Sequence, residues 1–329
     1  MKWAEIISGG KNNRIYKVVC QNDANYVLKH YYHHPLDDRD RMDTELRAIK
    51  LLRHNDVECV PKLLNEDRIA RVAVFDYIEG NKIADITDSD IDQAADFLCA
   101  IKRISDETDP GSMPFASEAF FSATRIIENI QERLDRFKGV PDNTRFSAEL
   151  DDFLEINFCP AFEYYSRRCI DCFDELNISA ISDLKQHERV LSPSDFGFHN
   201  GIKGKDGLIK FVDFEYFGWD DPAKLICDFV MHPAMELSDK QKEEFSISII
   251  DTFSIPLTGL RARAYYPLFR LKWCLIMLNE FLPIEIARRK FSSNSDANLE
   301  KRQKAQLRKA EAMFNTLKEE HEKICRFLS

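Results

Sequence analysis

A chain of 329 residues exceeds what one hydrophobic core usually organises, so two lobes are expected on size alone. Its 44% hydrophobic residues, with only 11 Gly and 12 Pro, exclude a disordered or low-complexity protein, and a net charge of -10 from 56 acidic and 46 basic residues argues against nucleic-acid binding. No window of about 18 uncharged apolar residues occurs, which excludes membrane insertion by a helix, and nine cysteines scattered among apolar neighbours read as reduced thiols of a cytoplasmic protein.

In chain order, "IYKVVC", "NYVLKHYY" and "RVAVFDYI" are β-branched and aromatic runs of strand length, separated by turn-forming "QNDA" and "NEDR". Between the second and third, "DDRDRMDTELRAIKLLRH" places Met42, Leu46, Ile49 and Leu52 at helical spacing behind an acidic first turn. From Asn81 the pattern becomes helical, with "DSDIDQAADFLCAIKRI", "EAFFSATRIIENIQERLDRF" and "AYYPLFRLKWCLIMLNEFL" as the clearest segments. The charged last segment, from Asp296, has a sparse apolar stripe and reads as one long surface helix. One interruption is expected, a two-stranded insert of "ERVLS" and "LIKFVDF" with "KGKDG" as turn. The fold class is therefore α+β, with a small β-rich lobe over residues 1–78 and a larger helical lobe over 79–329. Cys169 and Cys172 form a lone C-x-x-C, without the second pair a zinc site needs.

The insert carries the chemistry. "SPSDFGFHN" places Asp195 and Asn200 with four residues between them, and "FVDFEYFGWDDP" puts Asp213 at the end of a buried-strand run. Two carboxylates and an amide on neighbouring strand ends suit phosphoryl transfer, which needs a hydroxyl oriented and magnesium held against phosphate oxygens. A carboxylate fixed by a sheet is also better placed for a metal than one on a mobile loop.

The D-x-x-x-x-N spacing followed by V-D-F-E resembles the aminoglycoside phosphotransferase and choline kinase family, relatives of the protein kinases that phosphorylate small molecules. The resemblance implies a protein-kinase-like two-lobe fold, with ATP and Mg2+ as cofactors and a small molecule as substrate. Asp195 takes the role of the catalytic-loop aspartate, Asn200 and Asp213 those of the metal ligands. The D-F-G letters at 195–197 are then a coincidence, because the metal aspartate sits in V-D-F-E. In the other lobe, Ser8, Gly9, Gly10 and Asn13 match the loop over the phosphates, Lys29 the phosphate-contacting lysine and Glu45 its partner on the following helix. The backbone of Asp76, Tyr77 and Ile78 takes the adenine edge. The chain departs from the family at Pro193 and Ser194, where His-Gly commonly precedes the aspartate, although Pro193 stiffens the same turn.

The acceptor is expected to be a sugar or an amino alcohol such as choline, beside Asp195. Trp219, Asp220, Trp273, Asn279 and Glu280 are the substrate candidates, the last two because they interrupt an apolar run and a buried polar group needs a partner. Capping of the helix that starts at Pro222 competes for Asp221. The alternative reading is a catalytically inactive kinase-like nucleotide-binding or scaffold protein.

Overall fold

The computed structural model describes residues 2–7, 13–33, 39–138, 140, 146–283, 285–286 and 299–328. Its first lobe is an antiparallel sheet of β1 (Trp3–Ile6), β2 (Arg14–Val19), β3 (Asn25–His30), β4 (Leu63–Asp67) and β5 (Val72–Asp76), in the order β1-β2-β3-β5-β4. α1 (Arg41–His54) covers this sheet with a stripe of Met42, Leu46, Ile49 and Leu52, and Glu45 lies on the same buried face. Asp40 caps its start by accepting from the Asp43 amide.

Two strands of this sheet escape sequence reading. β1 is exposed along its whole length, so it has no alternation to detect. β4 includes Asn65, Glu66 and Asp67 of the expected "NEDR" turn. The turn begins later because the Asp67 carboxylate accepts the amides of Ile69 and Ala70.

The chain leaves the first sheet through residues 77–80 and pairs β6 (Asn81–Lys82) with β8 (Gly201–Lys203), which pairs in turn with β9 (Ile209–Phe211). The expected pairing of "ERVLS" with "LIKFVDF" is thereby corrected. Gly201–Lys203 supplies the partner across the "KGKDG" turn, while β7 (Val190–Ser192) pairs with β10 (Gly218–Asp220). Two short ladders thus hold the two ends of the catalytic segment at different places, where one hairpin was expected.

Around them pack α2 (Asp88–Glu107), α3 (Ala123–Asp135), α4 (Ser147–Asp152), which runs through a wider helical turn into α5 (Cys159–Glu175), then α6 (Pro222–Met231), α7 (Asp239–Phe253) and α8 (Thr258–Met277). α8 is buried over most of its length and is the axis of this lobe. The expected single terminal helix is two, α9 (Leu299–Asn315) and α10 (Leu317–Phe327). Buried Arg270 of α8 explains the break, because its guanidinium takes the Met313 carbonyl at 2.8 Å and the Thr316 hydroxyl at 2.6 Å, between the two helices. Leu307, Ala310, Leu317 and Ile324 are buried, so the pair belongs to the core rather than lying on its surface.

Gly218 is required by close approach. A Cβ there would sit 2.4 Å from the Pro114 carbonyl oxygen and 2.5 Å from the Ala116 amide, both of them backbone atoms that cannot rotate away. Gly218→Ala is expected to cost about 1–3 kcal/mol, read as a lower denaturation midpoint, and an unchanged midpoint would show that the 114–116 segment yields.

Candidate active site

Lys29 stands in the middle of β3, opposite Ile15 of β2 and Ala73 of β5, so its ammonium is aimed by the sheet. It is 4% exposed and meets two carboxylates, Glu45 Oε2 at 2.6 Å and Asp213 Oδ1 at 2.5 Å. Burial by itself would favour the neutral amine, but Asp213, Glu45 and Glu215 outweigh it and raise the Lys29 pKa, so the ammonium stays charged. Glu45 is fixed from two further sides, by the Tyr31 hydroxyl at 2.8 Å and the Phe214 amide at 3.4 Å. Burial pushes the Asp213 carboxyl up; Lys29 opposes this, and Glu215 and Glu45 add to it. Its backbone has φ +71°, a left-handed conformation costing a non-glycine residue of order 1–3 kcal/mol. The amide bonds on either side, Val212 to the Asn200 carbonyl at 2.9 Å and Phe214 to Glu45, hold it there.

Asp195 follows another left-handed residue, Ser194 at φ +65°. Its Oδ1 lies 3.1 Å from His199 Nε2 and 3.3 Å from His232 Nε2. Burial alone would raise this carboxyl, but the two imidazole hydrogen bonds outweigh it and hold Asp195 well below the usual carboxylate range. Its side chain is nonetheless 36% exposed, which leaves it open to the cleft. The Asn200 amide nitrogen donates to the Asp195 carbonyl at 2.9 Å. That bond engages the amide nitrogen and leaves the amide oxygen as the group that can accept or ligate. Gly197 lets two side chains approach closely here, since a Cβ would fall 2.6 Å from Met235 Sδ and 2.9 Å from His199 Nδ1.

Behind the loop lies a second ion cluster. Lys224 Nζ reaches Asp220 at 2.8 Å, Asp228 at 3.1 Å and the Ser194 hydroxyl at 3.4 Å, and Asp228 also accepts from Trp273 Nε1 at 3.0 Å. Burial, which would favour a neutral Lys224, is outweighed by Asp220 and Asp228.

The structure brings Lys29, Glu45 and Asp213 into contact and joins Asp195 to Asn200. Asn13 is buried and tied to Glu215 and, at 3.0 Å, to the Tyr32 amide. Ser8, Gly9 and Gly10 lie outside the described residues. Asp76, Tyr77 and Ile78 line a cleft of about 470 Å³ with Glu79, Ile202 and the β8–β9 turn; none of Lys29, Asp195, Asn200 or Asp213 lines it, so this hollow is beside the phosphate end rather than part of it. The substrate candidates divide. Trp219 is 2% exposed in the β7–β10 ladder and Asp220 is fully buried against Lys224, which corrects the expectation that they face the cleft. Glu280 is likewise buried, its carboxylate 3.7 Å from Arg302 of α9. Trp273 and Asn279 remain half-buried, and Asp221 caps α6 by accepting from the Ala223 amide at 2.7 Å. Sequence reasoning passed over His232, which lies far from Asp195 in the chain, and Glu215, whose buried pairing with Asn13 needed both lobes in place.

A family model described as the phosphotransferase enzyme family matches residues 3–159, a stretch that ends before Asp195. The whole chain has the fold of solved kinases. Over residues 3–159 the chain is similar to the phosphotransferase enzyme family. Among similar structures is a Plasmodium vivax ethanolamine kinase, 15% identical, with TM-score 0.61, covering 96% of this chain and 84% of its own. A choline kinase from Streptococcus pneumoniae is 15% identical with TM-score 0.55, covering 94% and 93%. A spectinomycin phosphotransferase, solved with ADP and spectinomycin, is 15% identical with TM-score 0.55, covering 94% and 92%. No curated protein is significantly similar in sequence. Identities this low carry the kinase-like fold and nothing finer to this chain. Among the described residues no helix is long and apolar enough to cross a membrane.

Removing Lys29 leaves the buried Glu45 carboxylate and the partly exposed Asp213 carboxylate without their shared cation. Lys29→Met is expected to destabilise the protein by about 3–5 kcal/mol, with part of the loss regained in the Lys29→Met/Glu45→Gln double variant. Denaturant unfolding of the three proteins checks this, and equal midpoints would mean that water already screens the cluster.

Proposed function

We propose that the protein is an ATP- and magnesium-dependent kinase that moves the γ-phosphoryl group of ATP to a hydroxyl of a small molecule, a sugar or an amino alcohol such as choline. The observation that carries this reading is the convergence of Lys29, Asp195, Asn200 and Asp213, contributed by both lobes, with the Lys29 and Asp195 side chains each held by at least two partners.

The donor set fits the cation. The Asn200 amide oxygen and the Asp213 carboxylate are hard oxygen ligands, as magnesium requires, and neither residue offers a soft donor that would favour a transition metal. When bound there, magnesium would neutralise charge on the phosphate oxygens. Lys29 contacts the α and β phosphates, and Glu45 keeps its ammonium pointed at them. The backbone of Asp76 to Ile78 receives the adenine, and Asn13 stands at the end of the loop over the phosphates. Asp195 accepts the hydrogen bond of the acceptor hydroxyl, whose oxygen attacks phosphorus. The new O–P bond forms as the bond to the β-phosphate oxygen breaks, ADP leaves with that electron pair, and the hydroxyl proton passes late to Asp195. A carboxylate held this far below its usual range is a weak base, so its main service is orientation.

The nine free thiols suit a reducing compartment, and we place the protein in the cytoplasm.

Calorimetric titration with a non-hydrolysable ATP analogue tests the phosphate site. Binding is expected with magnesium and not without it, and it is expected to be lost in Asp213→Ala. Binding indifferent to magnesium, or none, would return the reading to a kinase-like scaffold. Asp195→Asn is expected to lower turnover by about 10²–10⁴-fold while nucleotide affinity stays within a few fold. Normal turnover in that variant, measured by ADP release, would remove Asp195 from the reaction.

A further inference from the structure

Asp195, His199 and His232 place three ligand-type atoms within 4.8 Å of one another, a spacing at which a metal ion is the obvious occupant. The second nitrogen of His232 argues otherwise. His232 ends α6 and opens a turn closed by the Met235 amide on the His232 carbonyl at 3.0 Å. Within that turn the Ala234 amide donates to His232 Nδ1 at 3.2 Å. An Nδ1 that accepts a hydrogen bond carries no proton, so the neutral ring carries its proton on Nε2. Nε2 then has no lone pair for a cation and can only donate, and the atom it faces is Asp195 Oδ1.

Two aromatic neighbours fix the ring's place. His199 stacks on it with centroids 3.8 Å apart and an interplanar angle of 1°, and Trp273 meets it edge-on at 4.6 Å. The same turn sends Met235 into the catalytic loop, where its sulfur lies 3.0 Å from the Phe198 amide. Both imidazoles converge on one oxygen of Asp195, Oδ1, and among the described residues no side chain occupies Oδ2. Two donors on a single oxygen prevent the carboxylate from rotating, and the other oxygen is left facing the cleft.

We propose that His232, with His199 stacked against it, is the positioning residue that clamps Asp195 by Oδ1 and so presents Oδ2 to the acceptor hydroxyl. This rests on the phosphotransfer reading of the site. The turn at 232–235 thus serves as a clasp on the catalytic loop, with the ring tautomer set by the turn's own Ala234 amide. Carboxylate rotation would move Oδ2 by a bond length or more, a displacement that costs on the order of 100-fold where a reacting group must be aligned.

The test is a comparison of His232→Ala and His232→Gln with the native protein, using the slow hydrolysis of Mg-ATP, in which water takes the acceptor's place, and titration with a non-hydrolysable ATP analogue. His232→Ala is expected to lose about 10- to 100-fold in turnover with analogue affinity within twofold. His232→Gln, whose amide nitrogen can reach the position of Nε2, is expected to recover most of that loss. Nitrogen NMR of the native imidazoles is expected to show His232 protonated at Nε2 alone. A proton on Nδ1, or full turnover in His232→Ala, would overturn the clamp while leaving the kinase reading intact. Equal losses in both variants would also overturn it, showing that the ring only supports the fold. Native protein that neither hydrolyses Mg-ATP nor binds the analogue would overturn both, and only that result reaches the kinase reading.

Discussion

The ammonium of Lys29 between Glu45 and Asp213 is the contact on which the arrangement of the two lobes depends. Lys29 belongs to the central strand of the first sheet, Glu45 to the helix across it, and Asp213 to the segment after β9 in the second lobe. One buried cation therefore fixes strand, helix and catalytic segment relative to one another. Burying three charges is expensive, and such a group is seldom the cheapest way to hold a fold together. Its value lies in specificity, since Lys29 and Glu45 are buried and Lys29 would lose part of its compensation without Asp213 of the second lobe. Glu215 extends the same logic, with Asn13 and Arg41 of the first lobe gathered around a buried carboxylate of the second.

The catalytic loop is held by a different device. Left-handed Ser194 and Asp213 mark places where the backbone is bent against its own preference, and strain of that kind persists only where the surroundings over-determine it. Here they do. Ser194 is bonded to the Ser117 carbonyl and to Lys224, Asp195 to two imidazoles, and Asn200 back to Asp195. Where the family that the sequence resembles commonly has His-Gly, this chain has Pro193 and Ser194, and Asp195 has two imidazole partners. They come from within the loop and from the end of α6 instead of from the residues just before it.

The letters D-F-G at 195–197 show how far a motif can be read. Spacing to Asn200 and to Asp213 carries the resemblance from which the catalytic-loop role proposed for Asp195 is taken. The glycine has its own physical reason, the approach of Met235 and His199, which no local pattern announces. In the same way Trp219 and Asp220 carry suitable side chains in a suitable stretch. The β7–β10 ladder and Lys224 nevertheless draw both of them into the interior.

By itself the sequence determined the two-lobe α+β plan, the helical stripe that carries Glu45, the strand that carries Lys29, and the spacing of Asp195, Asn200 and Asp213. Those features are local, because a period of two or 3.6 and a run of a dozen residues suffice to express them. Only the tertiary structure decided which strands pair around the catalytic segment, why the terminal helix breaks at Thr316, and that His232 meets Asp195. Each of these depends on a partner far away in the chain, Trp219 for Leu191, Arg270 for Met313 and the end of α6 for the catalytic loop. A hydrogen bond between residues dozens apart leaves no periodic trace in either segment, so it appears only when the chain has folded.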